Sequence, residues 1–101
     1  KYLSNFSTDS EMLSSLALGC IGDAYLELDE LDEALDYYED ATKNSNNIFT
    51  APRYMMKQAM IHEINKDYQY ALELYKEIKA SYKESKEFQD IDKYISRIEN
   101  R

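Results

Sequence analysis

The chain has 101 residues, 44% of them hydrophobic and 32% charged, with two glycines, one proline, no tryptophan and a net charge of −8. Its length supports one modest core and excludes two independent domains, and its poverty in helix breakers predicts an all-α fold. The acidic balance excludes nucleic acid as a partner, since binding a phosphate backbone needs clustered Lys and Arg; no stretch approaches the roughly 18 apolar residues of a membrane span, and no basic-then-apolar signal segment opens the chain.

In chain order, the opening "KYLSNF" lacks an initiator methionine and residues 1–7 read as the tail of a helix, so the 101 residues are expected to be a fragment of a longer protein. Thr8-Asp9-Ser10-Glu11 has the Ser/Thr-x-x-Glu spacing of a capping box and predicts a helix starting near residue 9. From there Leu13, Leu16, Ala17, Cys20, Ile21, Ala24, Tyr25 and Leu28 recur at steps of three and four, one apolar helical face. Asp29 and Glu30 make a turn. A second amphipathic helix follows from Leu31 to Lys43, with Leu31, Ala34, Leu35, Tyr38 and Ala41 on one side and the acids Asp32, Glu33, Asp36, Glu39 and Asp40 largely on the other.

Asn44-Ser45-Asn46-Asn47 competes with helix through side chain to backbone bonds and reads as a loop. Thr50 and Pro52 then mark a helix start, Thr50 as N-cap and Pro52 in the first turn, where its missing N–H costs nothing. The third helix covers residues 51–65, with Tyr54, Met55, Gln58, Ala59, Ile61 and His62 on one face and Met56, Met60 and Ile64 on a second apolar edge. Beyond Asn65-Lys66-Asp67, a fourth helix carries Tyr68, Ala71, Leu72, Tyr75, Ile78 and Tyr82. Ser85 can cap a fifth, residues 86–99, with Phe88, Ile91, Ile95 and Ile98 inward.

Aligning Ala34 with Ala71 gives an internal helical repeat of 37 residues. In the first copy (residues 9–48) Leu18, Ile21, Gly22, Tyr25, Leu31, Ala34, Tyr38 and Ala41 resemble the tetratricopeptide repeat pattern. In the second (residues 51–84) Met55, Tyr68, Ala71, Tyr75 and Ile78 match, while Gln58, Ala59 and His62 replace the usual Leu, Gly or Ala, and Tyr. The resemblance implies an α-solenoid of antiparallel helix pairs, closed by residues 86–99 as a capping helix, with Tyr2, Leu3 and Phe6 ending a preceding repeat. The order "ALGCIGDAYLELDELDEALDYYEDA", "NNIFTAP", "YALELYKEIKASYKES" and "DIDKYISRIE" further resembles membrane-anchored, envelope-facing tetratricopeptide proteins of Gram-negative bacteria. That likeness implies the periplasmic face of an inner membrane, reached through an N-terminal anchor outside this sequence, with the cytoplasm as the alternative and no direct membrane contact by these residues.

The residues that could carry chemistry have plainer readings. Gly19-x-x-Gly22 is no phosphate loop, because it lies in mid-helix beside Asp23 without Lys or Ser/Thr; Gly22 is expected to let a neighbouring helix approach closely. The acidic run lacks the Asp-x-Asp-x-Asp-Gly spacing of a calcium loop. Single copies of Cys20 and His62 give no zinc cluster and no nucleophile–base pair, so both are expected in the core. Of the ten tyrosines most fall at repeat core positions, leaving Tyr37, Tyr54, Tyr70 and Tyr94 as freer. No enzyme, metal or cofactor is predicted.

The resemblance implies one site. The first helix of each pair lines a concave groove, at Leu16, Gly19, Asp23, Leu26 and Glu27, and at Arg53, Met56, Met60, Glu63 and Ile64. Methionines suit an adaptable peptide surface, while Asp23, Glu27, Arg53 and Glu63 supply polar registration. The basic and asparagine residues with which chaperone-binding relatives clamp a C-terminal carboxylate are replaced by Gly19 and Asp23. The expected function is a protein–protein interaction scaffold holding a peptide or helix of a partner. The second reading is a self-associating assembly module, since residues 1–50 hold 11 acids and 2 bases against 9 and 10 in residues 51–101.

Overall fold

The computed structural model describes residues 2–43 and 49–100, with side chains from residue 11 onward. Among them the chain forms no strand and five α-helices: α1 (Tyr2–Glu27), α2 (Leu31–Lys43), α3 (Ala51–Ile64), α4 (Tyr68–Ser81) and α5 (Ile91–Glu99), the last entered through a short 3₁₀ helix, Glu87–Asp90. The fold is all-α, as the composition requires. The predicted Asn44–Asn47 loop lies outside the described residues.

Two turns of the same design join α1 to α2 and α3 to α4. In the first, the Glu30 N–H bonds the Tyr25 carbonyl at 2.9 Å and the Asp29 N–H bonds that of Leu26 at 3.0 Å. In the second, Asp67 bonds His62 at 2.7 Å and Lys66 bonds Glu63 at 3.0 Å. Such six-to-one and five-to-two bonds satisfy the last carbonyls of a helix, and they require one residue in the left-handed region. Asp29 (φ 63°) and Lys66 (φ 65°) fill that position 37 residues apart. Glycine would do so at less steric cost.

The same interval separates the core positions of α2 and α4: Ala34 and Ala71, Tyr38 and Tyr75, Ala41 and Ile78, all at most 1% exposed. One cluster gathers Ala34, Tyr38, Ala41, Tyr54 and Ile61, with Leu18, Tyr25, Leu26, Leu31 and Leu35 against it. The other joins Met55, Ala59, Ala71, Tyr75 and Ile78 to Ile91, Ile95 and Ile98 of α5. Because α3 supplies Tyr54 and Ile61 to one cluster and Met55 and Ala59 to the other, it is their shared wall. Each helix packs on the next along the chain.

The structure departs from expectation on α1. No break occurs at the Thr8–Glu11 capping box: the helix runs unbroken from Tyr2. A cap preference is worth about 1 kcal/mol, and Thr, Asp and Ser cost only a few tenths each inside a helix, so a longer helix can override it. The rotation also differs. Ser15, Gly19 and Gly22 are buried, whereas the expected core residues Leu13, Ala17, Cys20, Ile21, Ala24 and Leu28 are exposed. The reason is aromatic. The Tyr54 ring lies where a Gly19 Cβ would be, and the Tyr38 ring would stand 2.8 Å from a Gly22 Cβ. Two rings need a smooth helix surface, so the glycine side faces inward and the aliphatic side faces out.

Smaller corrections follow the same logic. Tyr54, expected to be free, is 2% exposed and stacks on Tyr38 with centroids 5.8 Å apart. Thr50 stands at the N-cap of α3 without a side-chain cap bond. Ser85 does act as a cap, its Oγ accepting from the Phe88 N–H at 3.2 Å, but that first turn is 3₁₀ and the α-helix begins only at Ile91.

Candidate functional site

The interval of 37 residues that aligns α2 with α4 also aligns stripes of α1 and α3. Leu16, Cys20, Asp23 and Glu27 lie along one side of α1; Arg53, Lys57, Met60 and Ile64 occupy the same register on α3. Side-chain bridges bring the two stripes side by side. Lys57 Nζ lies 2.6 Å from Asp23 Oδ1, and the Tyr38 hydroxyl donates to the same carboxylate oxygen. One helix further, Glu63 receives Arg97 of α5, with Nη2 at 2.6 Å and Nε at 3.2 Å, and the Tyr75 hydroxyl at 2.7 Å. The junctions are alike in kind: a carboxylate from one helix, a tyrosine from the next, and a cation from the helix after that.

Aromatic packing reinforces both. The Lys57 ammonium stands 5.7 Å from the Tyr38 centroid and 6.0 Å from that of Tyr54. The Arg97 guanidinium is 4.9 Å from the Tyr94 ring, which stacks on Tyr75. Of these residues the sequence singled out the acids and the tyrosines Tyr38 and Tyr75 but not the cations. Neither Lys57 nor Arg97 belongs to a motif; the recurring Tyr38/Tyr75 pair was the signal that could have led to them.

The electrostatics follow from the contacts. Burial pushes the Asp23 carboxyl up, but the bonds from Lys57 and Tyr38 outweigh it and hold the group below its usual value. The stability this contributes is present above the unfolded pKa near 4 and is lost as pH falls through the lower folded value. Arg97 is raised, first by its bond to Glu63. The Tyr38 and Tyr75 hydroxyls are pushed far up, first by burial and then by their bonds to Asp23 and Glu63. An unfolded chain sheds those two protons near pH 10 and the folded chain resists, so the stabilisation is complete below about pH 10 and is lost above it. The melting temperature followed by circular dichroism should therefore drop beyond pH 10, less steeply in the Tyr38→Phe, Tyr75→Phe double variant. An equally steep drop in that variant would assign the loss to other groups.

The predicted groove residues divide into two sets. Gly19 and Leu26 serve the core, the first under Tyr54 and the second in the cluster of Tyr38 and Ile61. Met56 packs on the cluster around Tyr75. Asp23 and Glu63 are spent on the internal bridges. Leu16 is half-buried, and Glu27, Arg53, Met60 (40%) and Ile64 (61%) are exposed. Cys20, exposed beside Asp23, joins this face although it was expected inside.

His62 is largely covered and stacks on Tyr70 at 5.4 Å, but its Nδ1 is 3.8 Å from Asp67 Oδ2, too far for a hydrogen bond. Arg53 also lines a cleft of about 600 Å³ with Phe49, Glu84, Ser85, Lys86, Glu87 and Gln89. The Ser85 hydroxyl there is engaged with the Tyr82 carbonyl and the Phe88 N–H, and the charges are of both signs. Among the described residues no three His, Cys, Asp or Glu side chains converge as metal ligands, and no helix is long and apolar enough to cross a membrane.

No family model matches the chain, and neither a curated protein nor a solved structure matches it.

Proposed function

We propose that the chain is a non-catalytic protein-interaction module of tetratricopeptide type, its α1–α2 and α3–α4 pairs stacked as a short solenoid. A peptide or helix of a partner protein binds across the face shared by α1, α3 and α5. The observation that carries this reading is the apolar ledge of Met60 and Ile64, 40% and 61% exposed, set between two bridges that fasten α3 to its neighbours. Such a ledge is preorganised, so little ordering cost opposes binding. Methionine adapts to varied apolar side chains, while Glu27 of α1 and Arg53 of α3, exposed on the aligned stripes, carry opposite charges.

The test avoids Met56, whose packing against the core would confuse folding with binding. Peptides selected from a random display library on the parent chain should lose at least about tenfold in affinity for the Met60→Asp, Ile64→Asp double variant, a typical loss when apolar anchors are removed. The variant's helical signal and melting curve should be unchanged, because both residues are exposed. Selected peptides that bind it equally well would remove this face as the site.

A further inference from the structure

About a quarter-turn around α1 from that face runs a second stripe, Leu13, Ala17, Ile21, Ala24 and Leu28. It is apolar throughout and open: Leu13 is 67% exposed, Ile21 41% and Leu28 70%. The same stripe recurs on the other odd-numbered helices. Adding the 37-residue interval to Ala17, Ile21 and Ala24 leads to Tyr54, Gln58 and Ile61 of α3, and adding it again leads to Ile91, Ile95 and Ile98 of α5. On α3 these positions are 1–5% exposed and on α5 1–8%.

The difference is a covering helix. α2 closes the stripe of α3, Tyr38 stacking on Tyr54 while Gln58 Nε2 donates to the Tyr38 carbonyl at 3.3 Å and to Thr42 Oγ1 at 3.1 Å. α4 closes that of α5 within the cluster of Tyr75 and Ile78. Both covering helices present a small residue, then tyrosine, then a small or branched residue at positions i, i+4 and i+7: Ala34, Tyr38, Ala41 and Ala71, Tyr75, Ile78. Among the described helices none covers the stripe of α1. Neither α2 nor α4 can be borrowed from a second copy without unpacking it, because those faces are fully buried.

Charge selects the occupant. From Glu11 to Thr42 the chain carries ten acids and no Lys or Arg. Two such surfaces repel each other, and so does an anionic lipid surface, whereas a cationic helix is attracted. We propose that the outer stripe of α1 is a docking site for a basic amphipathic helix of a partner protein, seated on α1 as α2 is seated on α3. This surface is separate from the Met60–Ile64 ledge and extends the packing order of the fold to a second chain.

The test uses the whole chain and a labelled peptide probe copying residues 68–82, whose Ala71, Tyr75 and Ile78 supply the docking face. In one version Glu73→Lys and Glu77→Lys make it strongly basic. The basic peptide should bind saturably, at least about tenfold more tightly than the unaltered one, and weaken by a similar factor between low and high salt, as screened charge attraction requires. Ile21→Asp with Leu28→Asp on the chain should abolish binding without lowering the melting temperature, and Met60→Asp with Ile64→Asp should leave it intact. Equal binding of the two peptides, or retained binding by the α1 variant, would overturn the proposal. So would a stripe-dependent dimer of the chain alone in sedimentation, which would give the face to a second copy.

Discussion

Gly19→Leu should lower the melting temperature by about 5–10 °C, or about 1–2 kcal/mol for a domain of this size. Two effects oppose each other there. Replacing a mid-helix glycine gains about 1 kcal/mol in helix propensity. Against it, even a Cβ at this position collides with the Tyr54 ring, and that ring cannot swing away because it is 2% exposed and stacked on Tyr38. Overpacking of a closed core costs about 1–3 kcal/mol, and leucine adds three further carbons beyond the Cβ. The steric term wins. Gly22→Leu should act in the same direction but less strongly, since a Cβ there would approach Tyr38 at 2.8 Å rather than overlap it. A double-mutant cycle identifies the cause: in a Tyr54→Leu background the Gly19 substitution should lose much of its effect. An unchanged melting temperature for Gly19→Leu would mean that α1 and α3 do not approach as described.

Glu63→Ala should cost about 2 kcal/mol, and the loss should come from a hydroxyl rather than from the ion pair. The Glu63 side chain is 11% exposed and accepts both from Tyr75, itself 0% exposed, and from Arg97, which is 48% exposed. Without the carboxylate, Arg97 turns to water, where exposed pairs are worth at most about 1 kcal/mol. The Tyr75 hydroxyl has no such escape, and a buried donor without an acceptor costs about 1–3 kcal/mol. Urea denaturation should accordingly rank Glu63→Ala well above Arg97→Ala, and Tyr75→Phe should recover part of the loss in the Glu63→Ala background. Equal midpoints for the Glu63→Ala and Arg97→Ala variants would show that the charge pair governs instead.

Much of the architecture was legible in the residues themselves. Composition set the all-α class. The 3.6-residue spacing of Leu31, Ala34, Leu35, Tyr38 and Ala41 located α2 from its first residue to its last. Ala34 and Ala71 revealed the 37-residue interval that recurs in two turns, in the buried tyrosines Tyr38 and Tyr75 and in the stripes of three helices. These features are local, or repeat at a fixed offset, and a sequence displays both directly.

What only the tertiary structure decided concerns partners distant along the chain. Periodicity showed that α1 had an aliphatic side but not that a glycine side would be the one buried. That outcome depends on the Tyr38 and Tyr54 rings brought by α2 and α3. Asp23 and Glu63 looked available to a partner until Lys57 and Arg97, each 34 residues away, were found to hold them. Hydrophobic pattern measures what a helix can offer to a neighbour; which side it gives up is set by the shape of the neighbour, and that is known only when the chain is folded.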